Sequence, residues 1–576
     1  MLSQVCKKKK TRFNGISRTS PSAILGLGFG VSMDVVPAGV RADRLSKLGD
    51  ATLGHILSFL PAAEAARAAA LSRRWRHIFA AVHTISFKEP KRSVRDDYSY
   101  YEGSWMDWSP SYGPPVDDTR PKPVPSQPFV NSVGAALHGR LRGGIAAAAP
   151  LRGLFVAFDA FDASDAASAT AVDGWLFYAA HQAAAAELRV DLRLGHVPIC
   201  ARAYALHRRD DAGGADHPLP SDIEVDEEDE EDYLDLHSDP PQVCDYYAIP
   251  RSLFACAALR SLRLGGCQLD TPAAIALPSL DTLHLTRVTD RMNAAHVQRL
   301  VAGCPRLADL MLEACDVVSK LSLLDKHRIR RLALRCCHDL ATVAIDSSEL
   351  REFDYGGAVP GPSFLTLHGP RRVVSCTLNF CGEDREELAR LMDFLGLFAG
   401  VIKLNLKSAR LGAGIGHNIL SSKLDFPALR NLELTGMLPE DDVATVSAVT
   451  RILQRTPSLQ TLSLFLLPEP EDRDRECHDE ESLRAAHKLR YNQYMTLPIP
   501  DCDDIPCLRE QMRDINLVHY QGSMAQRMLA MLLLRKAPVL NEVYCEFARG
   551  PLFIQTKLME EIKGWVLNKT ANMMFF

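Results

Sequence analysis

The chain reads LRSLRL at residues 259–264, LDTLHL at 280–285, LADLML at 307–312 and IRRLAL at 329–334. In each stretch an apolar residue occupies the first, fourth and sixth positions, and successive strong copies begin 21 to 30 residues apart. A repeat of this period predicts a solenoid, in which each unit buries its apolar face only by stacking on its neighbours. Further copies lie at residues 350–355, 373–378, 401–406, 429–434 and 459–464, with weaker ones at 82–87, 151–156 and 185–190.

The residues between the leucines are candidates for a binding surface. Side chains alternate along a strand, so the fourth and sixth positions share the inward face of a predicted parallel sheet. The residues between them then lie on a concave face, while helices or loops cover the convex side. The charge of this face changes sign along the array, which suits a protein target better than a nucleic-acid backbone. A solvated sheet face without a partner is the alternative interpretation. The candidate target-binding residues are Arg263, His284, Met311, Glu313, Arg331, Arg335, Asp354, Lys403, Lys407 and Glu433.

The bulk composition limits the functional classes. The 576 residues are 47% hydrophobic, which is ample for a buried core, and the formal net charge of -5 argues against a general nucleic-acid binder. The 15 cysteines are scattered, as is typical of a reduced, intracellular chain. We expect Cys267, Cys315 and Cys337 to have a structural role rather than to bind zinc, since no pair of close Cys-x-x-Cys clusters is present, and we predict no metal or other cofactor. No apolar run reaches the roughly 18 residues of a membrane span, so we expect a cytoplasmic and/or nuclear protein.

A second ordered pattern precedes the repeats, where residues 43–79 read DRLSKLGDATLGHILSFLPAAEAARAAALSRRWRHIF. Leu53, Ile56, Leu57 and Leu60 form one apolar helical stripe, and Pro61 ends the helix because it has no N–H to donate. Two more short helices are predicted after it. Units of this size rarely bury their apolar surface alone, so the leftover apolar face predicts docking to another protein.

Residues 41–80 resemble the F-box family through Asp43-Arg44-Leu45, through His55-Ile56-Leu57-Ser58-Phe59-Leu60-Pro61 and through Leu71-Ser72-Arg73-Arg74-Trp75-Arg76. The alanines at 65–70 depart from the larger residues that relatives often carry there. This resemblance implies binding to a Skp-type adaptor and, through it, to a cullin–RING ubiquitin ligase. The residues that the resemblance assigns to adaptor contact or its immediate support are Leu45, Leu48, Leu53, Ile56, Leu57, Leu60 and Trp75.

The C-terminal part, in which residues 537–540 read APVL, resembles the FBD-type region of plant F-box/LRR proteins, above all those of monocots. The expected fold class is therefore α/β: a small three-helix F-box, an irregular leucine-rich-repeat solenoid and an α/β cap. The predicted boundaries are a disordered extension at 1–40, the F-box at 41–80, the solenoid at 81–504 with disordered insertions at 89–128, 208–247 and 468–504, and the cap at 505–576.

These features predict a non-catalytic substrate receptor of a ubiquitin ligase whose partners are a Skp-type adaptor and an unknown protein target. The chain contains no Gly-x-Ser-x-Gly, His-Glu-x-x-His or Gly-Lys-Ser/Thr phosphate-loop motif. Two alternatives remain open: a co-receptor of the same ligase in which a small molecule completes the target site, and a repeat scaffold outside any ligase.

Overall fold

The computed structural model describes residues 47–70, 73–90, 127–141, 148–183, 187–195, 246–289, 295–315, 318–380, 391, 393–411, 424–439, 442–468, 488–492, 497 and 505–576. The chain divides into two compact units, Met1–Gly49 and Asp50–Phe576. Only residues 47–49 of the first unit are described, so the fold is that of the second. Leu45, the extension predicted at 1–40 and most of the three predicted insertions lie outside the described residues.

The second unit is built on one sheet of 15 parallel strands that follow one another in chain order. Each strand supplies one repeat, and the apolar residues of neighbouring repeats stack in register. Leu262, Leu283 and Leu310 are successive partners and are fully buried. The strands are β1 (Thr84–Lys88), β2 (Gly153–Phe158), β3 (Leu188–Leu194), β5 (Leu259–Gly265), β7 (Thr282–Thr286), β8 (Asp309–Glu313), β10 (Arg331–Arg335), β12 (Glu352–Gly357), β14 (Ser375–Phe380), β15 (Lys403–Arg410), β16 (Asn431–Met437), β17 (Thr461–Leu467), β18 (Asp514–Tyr520), β19 (Glu542–Phe547) and β20 (Asn572–Phe575).

The register confirms two of the three weak copies and corrects the third. Ile85 of β1 pairs with Leu154 of β2, as copies at 82–87 and 151–156 require. On β3, however, Val190 pairs with Leu262, so Val190 and not Leu188 is the middle apolar residue. The copy predicted at 185–190 was therefore placed two residues too early, because β3 carries apolar residues at three alternating positions and its first pairing is irregular.

The second layer of the solenoid changes along the chain. Where repeats begin 21 to 23 residues apart, the returning segment is a strand, and β9 (Lys320–Leu323), β11 (Thr342–Asp346) and β13 (Leu365–His368) form a small parallel sheet. Longer repeats accommodate helices. A third sheet pairs β4 (Tyr247–Ala248) with β6 (Cys267–Gln268).

The described helices lie at the N-terminal end and between the strands. In the described part of the chain, none is long and apolar enough to cross a membrane. They are α1 (Asp50–Leu57), α2 (Ala62–Ala70), α3 (Arg73–Ile78), α4 (Gln127–Arg140), α5 (Ala166–His181), α6 (His296–Ala302), α7 (Val443–Gln454), α8 (Pro506–Glu510), α9 (Met524–Arg535) and α10 (Leu552–Trp565), with 3-10 turns at Phe79–Ala81 and Arg251–Ala255.

The C-terminal region continues the solenoid. Ile515 and Leu517 of β18 pair with Leu462 and Leu464 of β17, and β19 and β20 extend the same sheet. Ser523 accepts a hydrogen bond from the backbone of Gln526 and so caps α9. Residues 505–576 thus add three strands to the main sheet and shield the core of β17.

Candidate functional site

One candidate surface lies where α1 ends. Leu53 and Leu57 point inward, with 1% and 2% of their surface exposed. Ile56, Phe59 and Leu60 point outward, with 41%, 76% and 39% exposed. Phe59 and Leu60 sit in the turn after the helix, where their N–H groups donate to the carbonyl oxygens of Ile56 and Leu57 at 3.2 and 3.0 Å. We call Ile56, Phe59 and Leu60 the apolar trio.

The predicted adaptor residues therefore divide by position. Ile56 and Leu60 are available to a partner, whereas Leu53 and Leu57 support them from the core. Trp75 of α3 is half-buried, and Leu48 is half-buried within the first unit. Phe59 is the most exposed of the trio, although the spacing of the stripe had not selected it.

The helix that carries the trio is fixed to the first strand of the solenoid. Nδ1 of His55 lies 2.8 Å from Nε2 of His83, and the backbone N–H of His83 donates to Oγ of Ser58 at 3.0 Å. Gly54 allows close approach, because a Cβ there would lie 2.6 Å from Cβ and the carbonyl oxygen of Ala81. These contacts give the trio a defined position relative to the sheet.

A buried arginine completes this junction. Arg140 of α4 is fully buried, and its Nε donates to the carbonyl oxygen of Val82 at 2.6 Å. Its two Nη groups donate to the hydroxyl of Tyr178, at 2.8 Å, and to the carbonyl oxygen of Ala149. The Arg140 guanidinium thus joins α4 and α5 to Val82, which directly precedes His83 in the chain.

The second candidate surface is the sheet face between the buried leucines, which we call the open face. In its first half, acids and bases of neighbouring strands pair with each other. Oδ2 of Asp309 lies 3.2 Å from Nε2 of His284 and 3.9 Å from Nη1 of Arg331. Nη1 of Arg263 lies 3.9 Å from Oδ2 of Asp191. Burial raises the pKa of Asp309, but His284 and Arg331 outweigh it, so the pKa falls below its ordinary value.

The pairing continues on β10 and β12. Arg335 forms ion pairs with Glu313, at 3.6 Å, and with Asp354. Nε of Arg331 lies 3.8 Å from Oε2 of Glu352. Met311 lies half-buried beside them, in register with His284 and Ala333. The charged side chains on this half of the face therefore pair largely with one another.

The second half of the open face differs. Nδ2 of Asn405 donates to Oε1 of Glu433 at 2.7 Å, while burial raises the pKa of Glu433. Burial likewise lowers the pKa of Lys407. Lys403 is exposed, and no described carboxylate pairs with either lysine. The predicted target-binding residues thus share one face, but they form a neutralised group around β8–β12 and a separate set on β15 and β16.

Sequence reasoning missed Asp191 and Arg193 on β3, which form a paired extension of this face with Nε–Oδ1 at 3.0 Å. The displaced register of the 185–190 copy concealed them. With Val190 and Leu192 as the inward pair, Asp191 falls between them and faces outward in register with Arg263.

Cys315 and Cys337, which follow β8 and β10, donate hydrogen bonds to backbone carbonyl oxygens. Sγ of Cys315 donates to the carbonyl oxygens of Leu285 and Glu313, each at 3.5 Å, and Sγ of Cys337 donates to that of Arg335 at 3.4 Å. Cys267 is fully buried, which raises the pKa of its thiol to about 12. Among the described residues, no group of three His, Cys, Asp or Glu side chains is placed to hold a metal ion.

A cleft of about 220 Å³ lies at the ends of β10 and β12, lined in part by His338, Tyr355, Gly357, Pro360 and Phe364. The hydroxyl of Tyr355 donates to the carbonyl oxygen of Ala358 at 2.6 Å. Sites for drug-sized ligands usually measure about 300–1,000 Å³, so this cleft is small for such a molecule.

Comparisons with known proteins find two family models and several plant relatives to which the chain is similar. Residues 45–84 match the F-box domain model, and residues 229–358 match the model "FBD-associated F-box protein At5g56370, LRR repeats". A "Putative F-box/LRR-repeat protein At5g41840" of Arabidopsis thaliana is 25% identical over 285 residues, which cover 48% of this chain and 38% of the relative. The "FBD-associated F-box protein At4g10400" of the same plant is 25% identical over 292 residues, covering 50% and 61%. A shorter match of 64 residues to "F-box/LRR-repeat protein At3g59200", also of Arabidopsis thaliana, is 42% identical and covers 11% of each chain.

The match at residues 45–84 identifies an F-box domain, and the match at 229–358, together with the parallel sheet, identifies leucine-rich repeats. The chain carries an F-box followed by repeats of the FBD-associated F-box type, and its relatives are F-box/LRR and FBD-associated F-box proteins of Arabidopsis thaliana. The matched part of the chain spans 38% and 61% of the first two relatives.

Proposed function

We propose that the chain is the target-recognition subunit of an SCF-type cullin–RING ubiquitin ligase. Its F-box docks a Skp-type adaptor, and its repeats hold a protein for ubiquitination. The observation that carries the proposal is the apolar trio, exposed on a segment that matches the F-box model. Full burial of a large apolar side chain stabilises a complex by about 1.5–3 kcal/mol, so the partly exposed trio contributes on the order of a few kcal/mol.

The proposed role requires no catalysis by this chain. A receptor that holds a target near a charged ubiquitin carrier raises the effective concentration of the reacting groups, as positioned reactants do in an enzyme. The fixed junction of α1 with β1 supports this role, because a rigid receptor keeps the target at a defined distance from the adaptor. The target surface proposed is the open face, with the predicted residues from Arg263 to Glu433.

The test is a pulldown of the full chain with a purified Skp-type adaptor. We expect Ile56→Asp/Leu60→Asp to lower adaptor binding at least tenfold, because two charges would enter an apolar interface. Phe177→Asp is the matched control, since Phe177 on α5 is 61% exposed and far along the chain from the trio. Leu57 is unsuitable, because an aspartate at this buried position would report on folding.

The outcomes separate the candidate functions. Equal binding by the wild type and the trio variant, or no binding of folded wild type to any adaptor paralogue, would remove the ligase assignment in favour of a free repeat scaffold. Adaptor binding without ubiquitination of a bound target would point to a scaffold within the ligase. The cleft near Tyr355 is the observation that bears on a small-molecule co-receptor, and a target that binds only after a small molecule is added would establish that alternative.

A further inference from the structure

The edge of the main sheet at which the strands begin carries a row of arginines over four successive repeats. Backbone hydrogen bonds of 2.8 Å place these segments side by side: Arg330 N–H donates to Ala308, Arg351 N–H to Arg330, and Val374 N–H to Arg351. Arg306, Arg328 and Arg372 each lie two residues before one of the residues joined by these hydrogen bonds, namely Ala308, Arg330 and Val374. We define the basic rim as Arg306, Arg328, Arg330, Arg351, Arg371 and Arg372.

The rim arginines are accessible and not neutralised. Arg351 is half-buried and the other five are exposed. Within the described residues none of the six has a carboxylate within ion-pair distance. By contrast, Arg331 and Arg335 on β10 pair with acids, as does Arg260 on β5. Residues 318–380 contain nine Lys and Arg against six Asp and Glu, although the whole chain has a net charge of -5.

We propose that the basic rim binds an Asp- and Glu-rich segment of a protein target. This inference rests on the proposed function, to which it adds the chemistry of one target class. A planar guanidinium donates two parallel hydrogen bonds to a carboxylate, so a row of arginines selects a row of carboxylates.

The dimensions fit a short extended segment. Adjacent strands lie about 4.8 Å apart, so the rim extends over about 14 Å across the four repeats. An extended peptide rises about 3.3 Å per residue, so four or five residues cover this length. The rim is bordered by Glu349 and by the open-face acids Asp309 and Glu352. These acids would repel a continuous phosphate backbone, while a peptide with isolated carboxylates can avoid them.

The experiment measures binding of a fluorescein-labelled ten-residue peptide of alternating glutamate and serine, called the glutamate peptide, to the full chain by anisotropy at about 50 mM NaCl, because alternation places isolated carboxylates on one face of an extended peptide. We expect wild type to bind, and affinity to fall as salt is raised to about 300 mM, because exposed charges are screened. Arg330→Glu/Arg351→Glu should weaken binding at least tenfold. The control Lys88→Glu/Arg189→Glu makes the same charge change on β1 and β3 and should change the affinity less than twofold.

Three results would overturn the proposal. One is no binding of the glutamate peptide to folded wild type, a second is equal loss in the rim and control variants, and a third is tighter binding of a ten-nucleotide oligothymidylate that the rim variant also loses. Thermal unfolding verifies that each variant is folded. The adaptor pulldown distinguishes the two proposals, because the rim variant keeps an intact trio: loss of peptide binding with normal adaptor binding concerns the rim alone.

Discussion

At the scale of single residues, His83 couples the F-box to the solenoid. Its ring contacts His55 at 2.8 Å and the hydroxyl of Thr84 at 3.0 Å. Burial lowers the pKa of His83, and the charge of Arg152 lowers it further. The unfolded chain therefore binds a proton at His83 more readily than the folded chain as the pH falls below about 6.5, and the free energy of unfolding must decrease on acidification.

We expect the free energy of unfolding, measured by urea denaturation, to fall between about pH 7.5 and 5.5 in the wild type. His83→Gln should reduce this slope, because glutamine takes up no proton. His138→Gln, at an exposed position of α4, makes the same substitution away from this contact and is the control. An unchanged slope in His83→Gln would assign the pH dependence to other groups.

At the scale of elements, the contact of α1 with the 3-10 turn Phe79–Ala81 depends on Gly54. A methyl group at this position would lie 2.6 Å from two atoms of Ala81, so α1 would have to move away from the turn. We expect Gly54→Ala to lower the free energy of unfolding by about 1–3 kcal/mol and to weaken adaptor binding, since the trio moves with the helix.

The matched control is Gly174→Ala on α5, where a Cβ would meet no atom within 4 Å. Alanine has the higher helix propensity, so this change should raise the free energy of unfolding by roughly 0.5–1 kcal/mol and leave adaptor binding unchanged. Urea denaturation of both variants measures the contrast. If both alanines changed the free energy of unfolding equally, Gly54 would affect stability only through its low helix propensity.

At the scale of the whole molecule, the leucine period was sufficient to predict a parallel solenoid, because each inward leucine requires the same position in the next repeat. It could not predict that β9, β11 and β13 form a second sheet, since that depends on space left by short repeats. Nor could it place Arg335 beside Asp354, because the register sets Glu313 and Gly356 opposite Arg335, and the diagonal contact with Asp354 depends on the side-chain conformation. The predicted register of β3 was wrong because Leu188, Val190 and Leu192 alternate along the strand, so either Leu188 or Val190 could be the middle apolar residue of the repeat.

The repeat architecture also determines how many neighbouring strands a destabilising substitution affects. Each repeat contacts mainly its neighbours, so the free energy of a local change is not shared evenly along the array. Leu517 on β18 is 1% exposed and pairs with Leu464 of β17 and Cys545 of β19. Leu517→Ala should destabilise this region by about 2–5 kcal/mol, because the cavity loses packing as well as apolar burial.

Hydrogen exchange with mass spectrometry measures the reach of that defect. We expect faster exchange in peptides from β17–β19 and unchanged exchange in β1–β3, with adaptor binding intact because the F-box adjoins the opposite end of the sheet. Leu154→Ala on β2, where the leucine is also 1% exposed, is the matched control. It should speed exchange in β1–β3 and leave exchange in β17–β19 unchanged. Uniformly faster exchange in both variants would show that the 15 strands open as one cooperative unit, and a target bound at any repeat would then stabilise the F-box as well.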